Sequence, residues 1–299
     1  MKVAVFGAGA VGCYFGGMLA RAGAPVTLIG RERHVRAIEK DGLYLDGVRI
    51  KEHIKIGAST DVAAARDADV VLFSVKTVDT EAAATLLAPH LRENAVVLSL
   101  QNGIDNVERI RRATGIAAVP SVVYVGAAMA GPGHVRHSGA GNLILSSGRR
   151  EINGIASMFE RAEVPCRISD RIEVDLWTKF ILNLAYNAMS ALTQATYGAM
   201  AADPLTRSVM ELATKEAIAV ANASGVQLDA KEMLEKVFGL ASLIPGATSS
   251  TAQDVARGSR TEIDSLNGYL SQRGAELGVP VPVNQTLYAL VKLLESQQH

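Results

Sequence analysis

Short β-branched runs alternate with helical stretches through the first half of the chain. KVAVFG at 2–7 leads into a helix over about 11–22, PVTLIG at 25–30 follows, and a second helix is predicted near 32–40. This is a β-α-β rhythm. Further runs come at DVVLFSVK (69–76), AVVLSLQ (95–101) and AAVPSVVYVGA (117–127), with helical stretches near 79–90 and 105–113 between the first pairs. Continuous apolar strands separated by helices imply a mostly parallel sheet covered on both faces. After residue 125 the rhythm changes. GPGHVRHSG followed by NLILSSG reads as two strands joined by a short glycine-bearing turn, an antiparallel extension of the sheet, and a helix near 151–162 and the strand VPCRIS close this half. From Asp170 onward the pattern is almost entirely helical, broken near DPLT, SGVQL, SLIPGATSS, GSRT and GVPVPV. The expected fold is α/β, a doubly wound sheet over 1–168 followed by an all-helical domain over 169–299.

One predicted helix does not fit a purely structural pattern. In LWTKFILNLAYNAMSALTQ (176–194) twelve of nineteen residues are apolar, which suits a protein interior, yet it carries Lys179, Asn183 and Asn187. Steps of four residues drift only about 40° around a helix and climb about 6 Å. The three side chains therefore form one polar stripe.

Composition narrows the field of functions. Thirty basic residues balance thirty acidic ones, so no global field recruits nucleic acid or an anionic membrane. No apolar run approaches the roughly 18 residues of a membrane span, and the N-terminal apolar run breaks at Gly7, too early for a secretion signal. The two cysteines, Cys13 and Cys166, lie far apart without metal-ligand spacing, and they read as small buried hydrophobes in a reducing cytoplasm. No metal site is expected.

The first strand runs into Gly7-Ala8-Gly9-Ala10-Val11-Gly12, a GxGxxG between a strand and a helix, as in Rossmann-type dinucleotide-binding sheets. Gly7 permits the tight turn, Gly9 lets the amides of Ala10 and Val11 approach a pyrophosphate, and Gly12 allows the helix close to the sheet. After the second strand an NAD enzyme would offer a carboxylate to the ribose. Here the chain offers Gly30-Arg31-Glu32-Arg33. A guanidinium can clamp a 2′-phosphate, which favours NADPH/NADP+, although Glu32 argues the other way and Arg31 and Arg33 can equally be solvated charges. Lys76 and Asn102 end two strands on the edge where such sheets bind ligands, and either can touch cofactor or substrate.

A ketone that receives hydride becomes an alkoxide and needs a proton. Lys179, desolvated on its apolar helix, can supply one near neutral pH, while Asn183 and Asn187 offer amides to substrate oxygens. The alternative is a lysine reaching for solvent and asparagines bonding neighbouring helices. Beyond this spacing, the chain carries the blocks VFGAGAVG, Arg31, SVK, QNG, LWTKFILNLAYN, SSTAQDVARGSRTEIDSLNGYL and GVPVPVN. Through these it resembles, over nearly its whole length, the ketopantoate reductase (2-dehydropantoate 2-reductase) family. The resemblance implies Lys179 as general acid, Asn183 and Asn187 as substrate-binding amides, and Ser250 as a contact to the substrate carboxylate. It also implies Glu262 as a catalytic carboxylate supporting the substrate hydroxyl, and Asn102 near nicotinamide and substrate. The implied reaction reduces 2-dehydropantoate to (R)-pantoate, towards pantothenate and coenzyme A, in a cleft between the domains. A D-2-hydroxy-acid dehydrogenase acting on another bulky 2-keto acid and a non-catalytic NADP(H)-binding sensor are the rivals. For Glu262 there is also a local alternative: Ser259-Arg260-Thr261-Glu262 matches a capping box before IDSLNGYL, with Gly258 closing the preceding helix. Helical domains can pair through apolar faces, which leaves a homodimer open.

Overall fold

The computed structural model describes residues 1–48 and 50–297. Two compact units divide the chain, Met1–Ile172 and Glu173 onward. Each has its own architecture.

The first unit runs β1 (Val3–Phe6), α1 (Ala10–Arg21), β2 (Val26–Ile29), α2 (Glu32–Asp41), β3 (Leu43–Gly47), β4 (Lys51–Ile54), β5 (Gly57–Ser59) and β6 (Val70–Phe73). It continues through α3 (Thr80–Leu87), β7 (Val96–Ser99), α4 (Asn106–Thr114), β8 (Val119–Gly131), β9 (His134–Ser146), α5 (Ile152–Arg161) and β10 (Cys166–Ser169). The sheet order is β4-β3-β9-β8-β7-β6-β1-β2-β5, with β10 beside β9. Strands β5, β2, β1, β6, β7 and β8 are mutually parallel, in register Val3↔Val26 and Val3↔Val70 at the centre.

Alternation along the central strands splits the core in two. Val3 and Val5 of β1, with Val70 and Leu72 of β6, pack with Phe15 and Leu19 of α1 and Ile155 and Phe159 of α5. Ala4 and Phe6, with Val71 and Phe73, pack with Ala84 and Leu87 of α3 and Ile110 of α4. Every side chain of β1, β6 and β7 is buried, which is why these strands read as unbroken apolar runs. Cys13 lies in this interior as expected, whereas Cys166 on β10 is only half-buried; both are free thiols.

The antiparallel extension differs from its sequence reading. β8 and β9 form one long hairpin of two 13-residue strands, turning at Pro132-Gly133. The GAG segment taken for a turn is instead an irregularity inside β9, where Ala140 adopts φ 53° and the register shifts opposite Val125 and Gly126. Bulges of this kind keep a strand continuous while bending it. Three strands, β3, β4 and β5, were not anticipated at all; β3 pairs in parallel with the first half of β9, and β10 with the second half.

The second unit is helical: α6 (Ile172–Thr193), α7 (Tyr197–Ala202), α8 (Pro204–Ala223), α9 (Ala230–Leu243), α10 (Ser250–Ala256), α11 (Asn267–Leu277) and α12 (Pro282–Ser296). From Leu184 to Ala191 every residue of α6 is buried, the signature of a helix surrounded by others. Its neighbours start where local chemistry allows. Asp203 caps α8 through the amides of Leu205 and Thr206 at 3.1 and 2.8 Å, with Pro204 as first helical residue, and Asp229 caps α9 through Glu232 at 2.7 Å. Among the described residues no helix is long and apolar enough to cross a membrane.

Candidate active site

In the first unit, backbone geometry makes the site. Gly7 has φ +113°, and a Cβ there would lie 2.7 Å from the backbone of Ser74 at the end of β6. A Cβ on Gly12 would lie 2.3 Å from the Gly7 carbonyl, so α1 can approach the sheet only with glycine at that position. Gly9 is different. A Cβ there would meet nothing within 4 Å among the described residues, so its glycine leaves open space above the helix end. No side chain caps α1 at Gly9, and Ala10 and Val11 of its first turn are half-buried. Uncapped amides at a helix N-terminus favour an anion.

Arg31 sits at the N-cap of α2, directly beyond β2, exposed and without an ion pair among the described residues. Glu32, the residue that argued against a phosphate here, is held by Arg36 one turn along the helix. The carboxylate is thereby partly neutralised and the Arg31 guanidinium is left available. This donor set fits a dinucleotide: open glycine, an uncapped helix start, then an arginine after the second strand.

Lys76 and Asn102 follow β6 and β7 on the carboxyl edge, Lys76 exposed and Asn102 half-buried. A buried polar network ties their loops together. The Thr77 hydroxyl donates to the Asn102 carbonyl at 3.0 Å, and Asn106 Nδ2 donates to the same oxygen at 2.6 Å. Gln101 Nε2 donates to the Val75 carbonyl at 3.2 Å and to the Thr80 hydroxyl at 2.7 Å, and that hydroxyl lies 3.0 Å from Asn106 Oδ1. Sequence reading passed over Thr77, Thr80, Gln101 and Asn106. Their one visible signal was polar residues directly after strands buried on both faces.

In the second unit, side chains make the site, and α6 carries most of them. Lys179, Asn183 and Asn187 are on it at the expected four-residue spacing. Lys179 is half-buried. Burial of its ammonium brings the pKa down from 10.5 to about 8, and the nearby Glu262 carboxylate acts in the opposite direction. Lys179 and Glu262 are therefore near enough to feel one another's charge, although 83 positions separate them in sequence. Asn187 is 3% exposed and Asn183 half-buried, and neither side-chain amide has a hydrogen-bond partner among the described residues.

Two segments are fixed against this helix. Ser249 caps α10 by accepting from the Ala252 amide at 3.0 Å, donates through its hydroxyl to the Asn187 carbonyl at 3.3 Å, and donates through its own amide to the Ser190 hydroxyl at 3.2 Å. Ser250, the residue expected to contact substrate, is the exposed first residue of α10 beside this anchor. Further on, Tyr269 of α11 meets Phe180 edge-on at 5.9 Å, which packs α11 against α6.

The capping-box reading of Glu262 is incorrect. No α-helix starts at Arg260; Glu262 precedes a single 3₁₀ turn over Ile263–Ser265, and its side chain makes no capping bond. The local amides are taken by other groups. The Thr261 hydroxyl accepts from the Ile263 amide at 3.1 Å, and the Thr261 amide donates to Glu295 of α12 at 2.8 Å. Long-range anchoring displaced the local motif, and Glu262 has no part in capping a helix.

A doubly wound dinucleotide fold joined to a helical unit with a half-buried lysine defines a nicotinamide-dependent oxidoreductase class. Residues 3–150 match the ketopantoate reductase PanE/ApbA family and residues 171–295 match its C-terminal part. The chain belongs to this family. A 2-dehydropantoate 2-reductase of Pyrococcus horikoshii is 33% identical over 99% of this chain and 98% of its own length. The crystal structure of a PanE/ApbA family ketopantoate reductase from Ralstonia eutropha is 48% identical, with TM-score 0.95 over 100% of this chain and 99% of that one. D-Mandelate dehydrogenase, solved with NADH and anilino(oxo)acetate, shares the fold at TM-score 0.93 with 24% identity, covering 100% of this chain and 99% of its own.

Proposed function

We propose that this protein reduces 2-dehydropantoate to (R)-pantoate with NADPH, a step towards pantothenate and coenzyme A. The observation that carries the reading is the α6 stripe: a lysine whose pKa falls to about 8, with the Glu262 carboxylate near enough to act on it and two amides one and two turns away. The names of the full-length relatives support the substrate, and the free Arg31 supports the phosphorylated nicotinamide.

The mechanism follows from what each group can do. When bound, the nicotinamide supplies hydride to the keto carbon. Gly7, Gly9 and Gly12 with the amides of Ala10 and Val11 would hold its pyrophosphate, and Arg31 would pair with the 2′-phosphate. Lys76 and Asn102, tied by their shared network, orient the reacting end. Lys179 hydrogen-bonds the carbonyl oxygen, stabilises negative charge as it develops there, and transfers its proton to that oxygen. A pKa near 8 makes the lysine a better donor than an ordinary ammonium while keeping it mostly charged at neutral pH. Asn183 and Asn187 bind substrate oxygens without adding charge that would disturb Lys179, Ser250 contacts the carboxylate, and Glu262 accepts a hydrogen bond from the substrate hydroxyl. The free thiols fit a reducing, cytoplasmic setting.

A panel of 2-keto acids assayed by NADPH and NADH absorbance tests the reading. The highest kcat/KM is expected for 2-dehydropantoate with NADPH. A clear preference for a different bulky keto acid would make the protein a D-2-hydroxy-acid dehydrogenase of the same family, and no turnover of any would leave only a cofactor-binding role.

A further inference from the structure

Glu262 stands in a segment without regular helical support, and yet a carboxylate that is to hold a substrate hydroxyl must be placed to within a fraction of an ångström. What places it comes from α12. Tyr288, Lys292 and Glu295 recur at steps of four and three residues, so they occupy one face of that helix. All three engage the stretch around Glu262. Glu295, 8% exposed, accepts from the Thr261 amide at 2.8 Å. Lys292 Nζ bridges Glu295 Oε2 at 3.0 Å and Asp264 Oδ2 at 3.1 Å. The Tyr288 hydroxyl donates to Asp264 Oδ1 at 2.7 Å, and Arg260 approaches Asp264 Oδ2 at 3.4 Å. The Tyr288 ring also lies against Gly268, where a Cβ would come within 3.0 Å of it. The segment is thus held by its backbone at Thr261, one residue before Glu262, and by the Asp264 side chain two residues after it.

Burying a carboxylate is costly unless it is paired, and replacing such a cluster with apolar groups often stabilises a protein. Stability alone gives little reason for a buried glutamate bonded to a loop amide 34 residues away. A fixed loop geometry does.

We propose that Tyr288, Lys292 and Glu295 are positioning residues that clamp the 260–265 segment onto α12 and thereby set the Glu262 carboxylate beside Lys179. This rests on the reductase reading above. The clamp residues touch neither substrate nor cofactor; they act through Glu262. Their own charges are balanced inside the cluster. Burial pushes the Glu295 and Asp264 carboxyls up, but hydrogen bonds outweigh it and hold both below the usual range: from Thr261 and Lys292 to Glu295, and from Tyr288, Lys292 and Arg260 to Asp264.

The experiment measures kcat/KM with 2-dehydropantoate and NADPH across pH, together with thermal melting, for wild type, Glu295→Ala, Tyr288→Phe, Glu262→Gln and the double variant Glu262→Gln/Glu295→Ala. Glu295→Ala is expected to lower kcat/KM about tenfold and to move the alkaline limb to lower pH, because a displaced Glu262 no longer helps Lys179 keep its proton. In the Glu262→Gln background the same change should cost less than about twofold, since the residue it acts through is already disabled. Lower melting with an unmoved pH limb, or an equal loss in both backgrounds, overturns the clamp and leaves Glu295 a stabilising residue. Should Glu295→Ala not fold, Tyr288→Phe decides: about threefold loss with the limb moved in the same direction supports the clamp, and unchanged kinetics contradict it. A wild type inactive on every keto acid removes the reductase reading and the clamp with it, whereas an active wild type, an impaired Glu262→Gln and an additive double variant remove the clamp alone.

Discussion

The glycine loop after β1 and the polar stripe of α6 are two ways of building a site, and they divide the work differently. The loop presents backbone: an open space over Gly9, uncapped amides at the start of α1, and one arginine after β2. Binding there is spread over several groups, each contributing a small share. The stripe presents side chains from a helix buried nearly all round, and it concentrates the chemistry on one ammonium. Losing one contact in the first region should weaken binding; losing the ammonium of the second should stop the reaction, while its amides should matter mainly for substrate affinity.

The sharpest way to break that comparison is Lys179→Ala. Turnover should fall by at least about 10²-fold while NADPH affinity, measured by fluorescence titration, stays near wild type. Near-normal turnover would remove the general-acid role. Glu262→Gln comes next: glutamine keeps hydrogen-bonding capacity but loses the charge, and kcat/KM should drop about tenfold with melting within a degree or two of wild type. Full efficiency would restrict Glu262 to a structural part. Arg31→Ala sharpens the other side. NADPH binding should weaken about tenfold and NADH binding hardly at all, because only NADPH carries the 2′-phosphate. Equal losses would show that Arg31 does not read that group. The smallest effect is expected for Asn183→Ala and Asn187→Ala. Each should raise substrate KM several-fold with kcat and melting temperature little changed, since neither amide supports another protein group among the described residues. Reduced melting with unaltered kinetics would identify them as structural amides.

Legibility followed the range of the interactions. The βα units announced themselves because their strands are buried on both faces and their turns need glycine at Gly7 and Gly12, both local requirements. The stripe was visible because helical periodicity alone aligns Lys179, Asn183 and Asn187. β4 was missed because KEHI buries only Ile54, and β5 because three residues, GAS, carry no strand pattern. Gly139-Ala140-Gly141 imitated a turn, and only pairing with β8 makes it a bulge. The failed capping box teaches the same lesson from the other side. Ser259-x-x-Glu262 satisfies a local rule, but bonds from Glu295 and Asp264 to residues on other elements decide the backbone there. The network of Thr77, Thr80, Gln101 and Asn106 was likewise out of reach, because two loops must come together before its partners meet.

The most direct test of the proposed chemistry is the pH dependence of kcat/KM for 2-dehydropantoate with NADPH. That quantity reports the free enzyme, and the general acid must be protonated to act. Burial lowers the Lys179 pKa to about 8, so the active form predominates below that pH and is lost above it. A plateau through neutrality with a tenfold fall per pH unit beyond about 8 is expected, and that limb should be absent from the residual activity of Lys179→Ala. A flat profile through pH 10, or a limb near 8 that survives in Lys179→Ala, would contradict the assignment of the proton to this lysine.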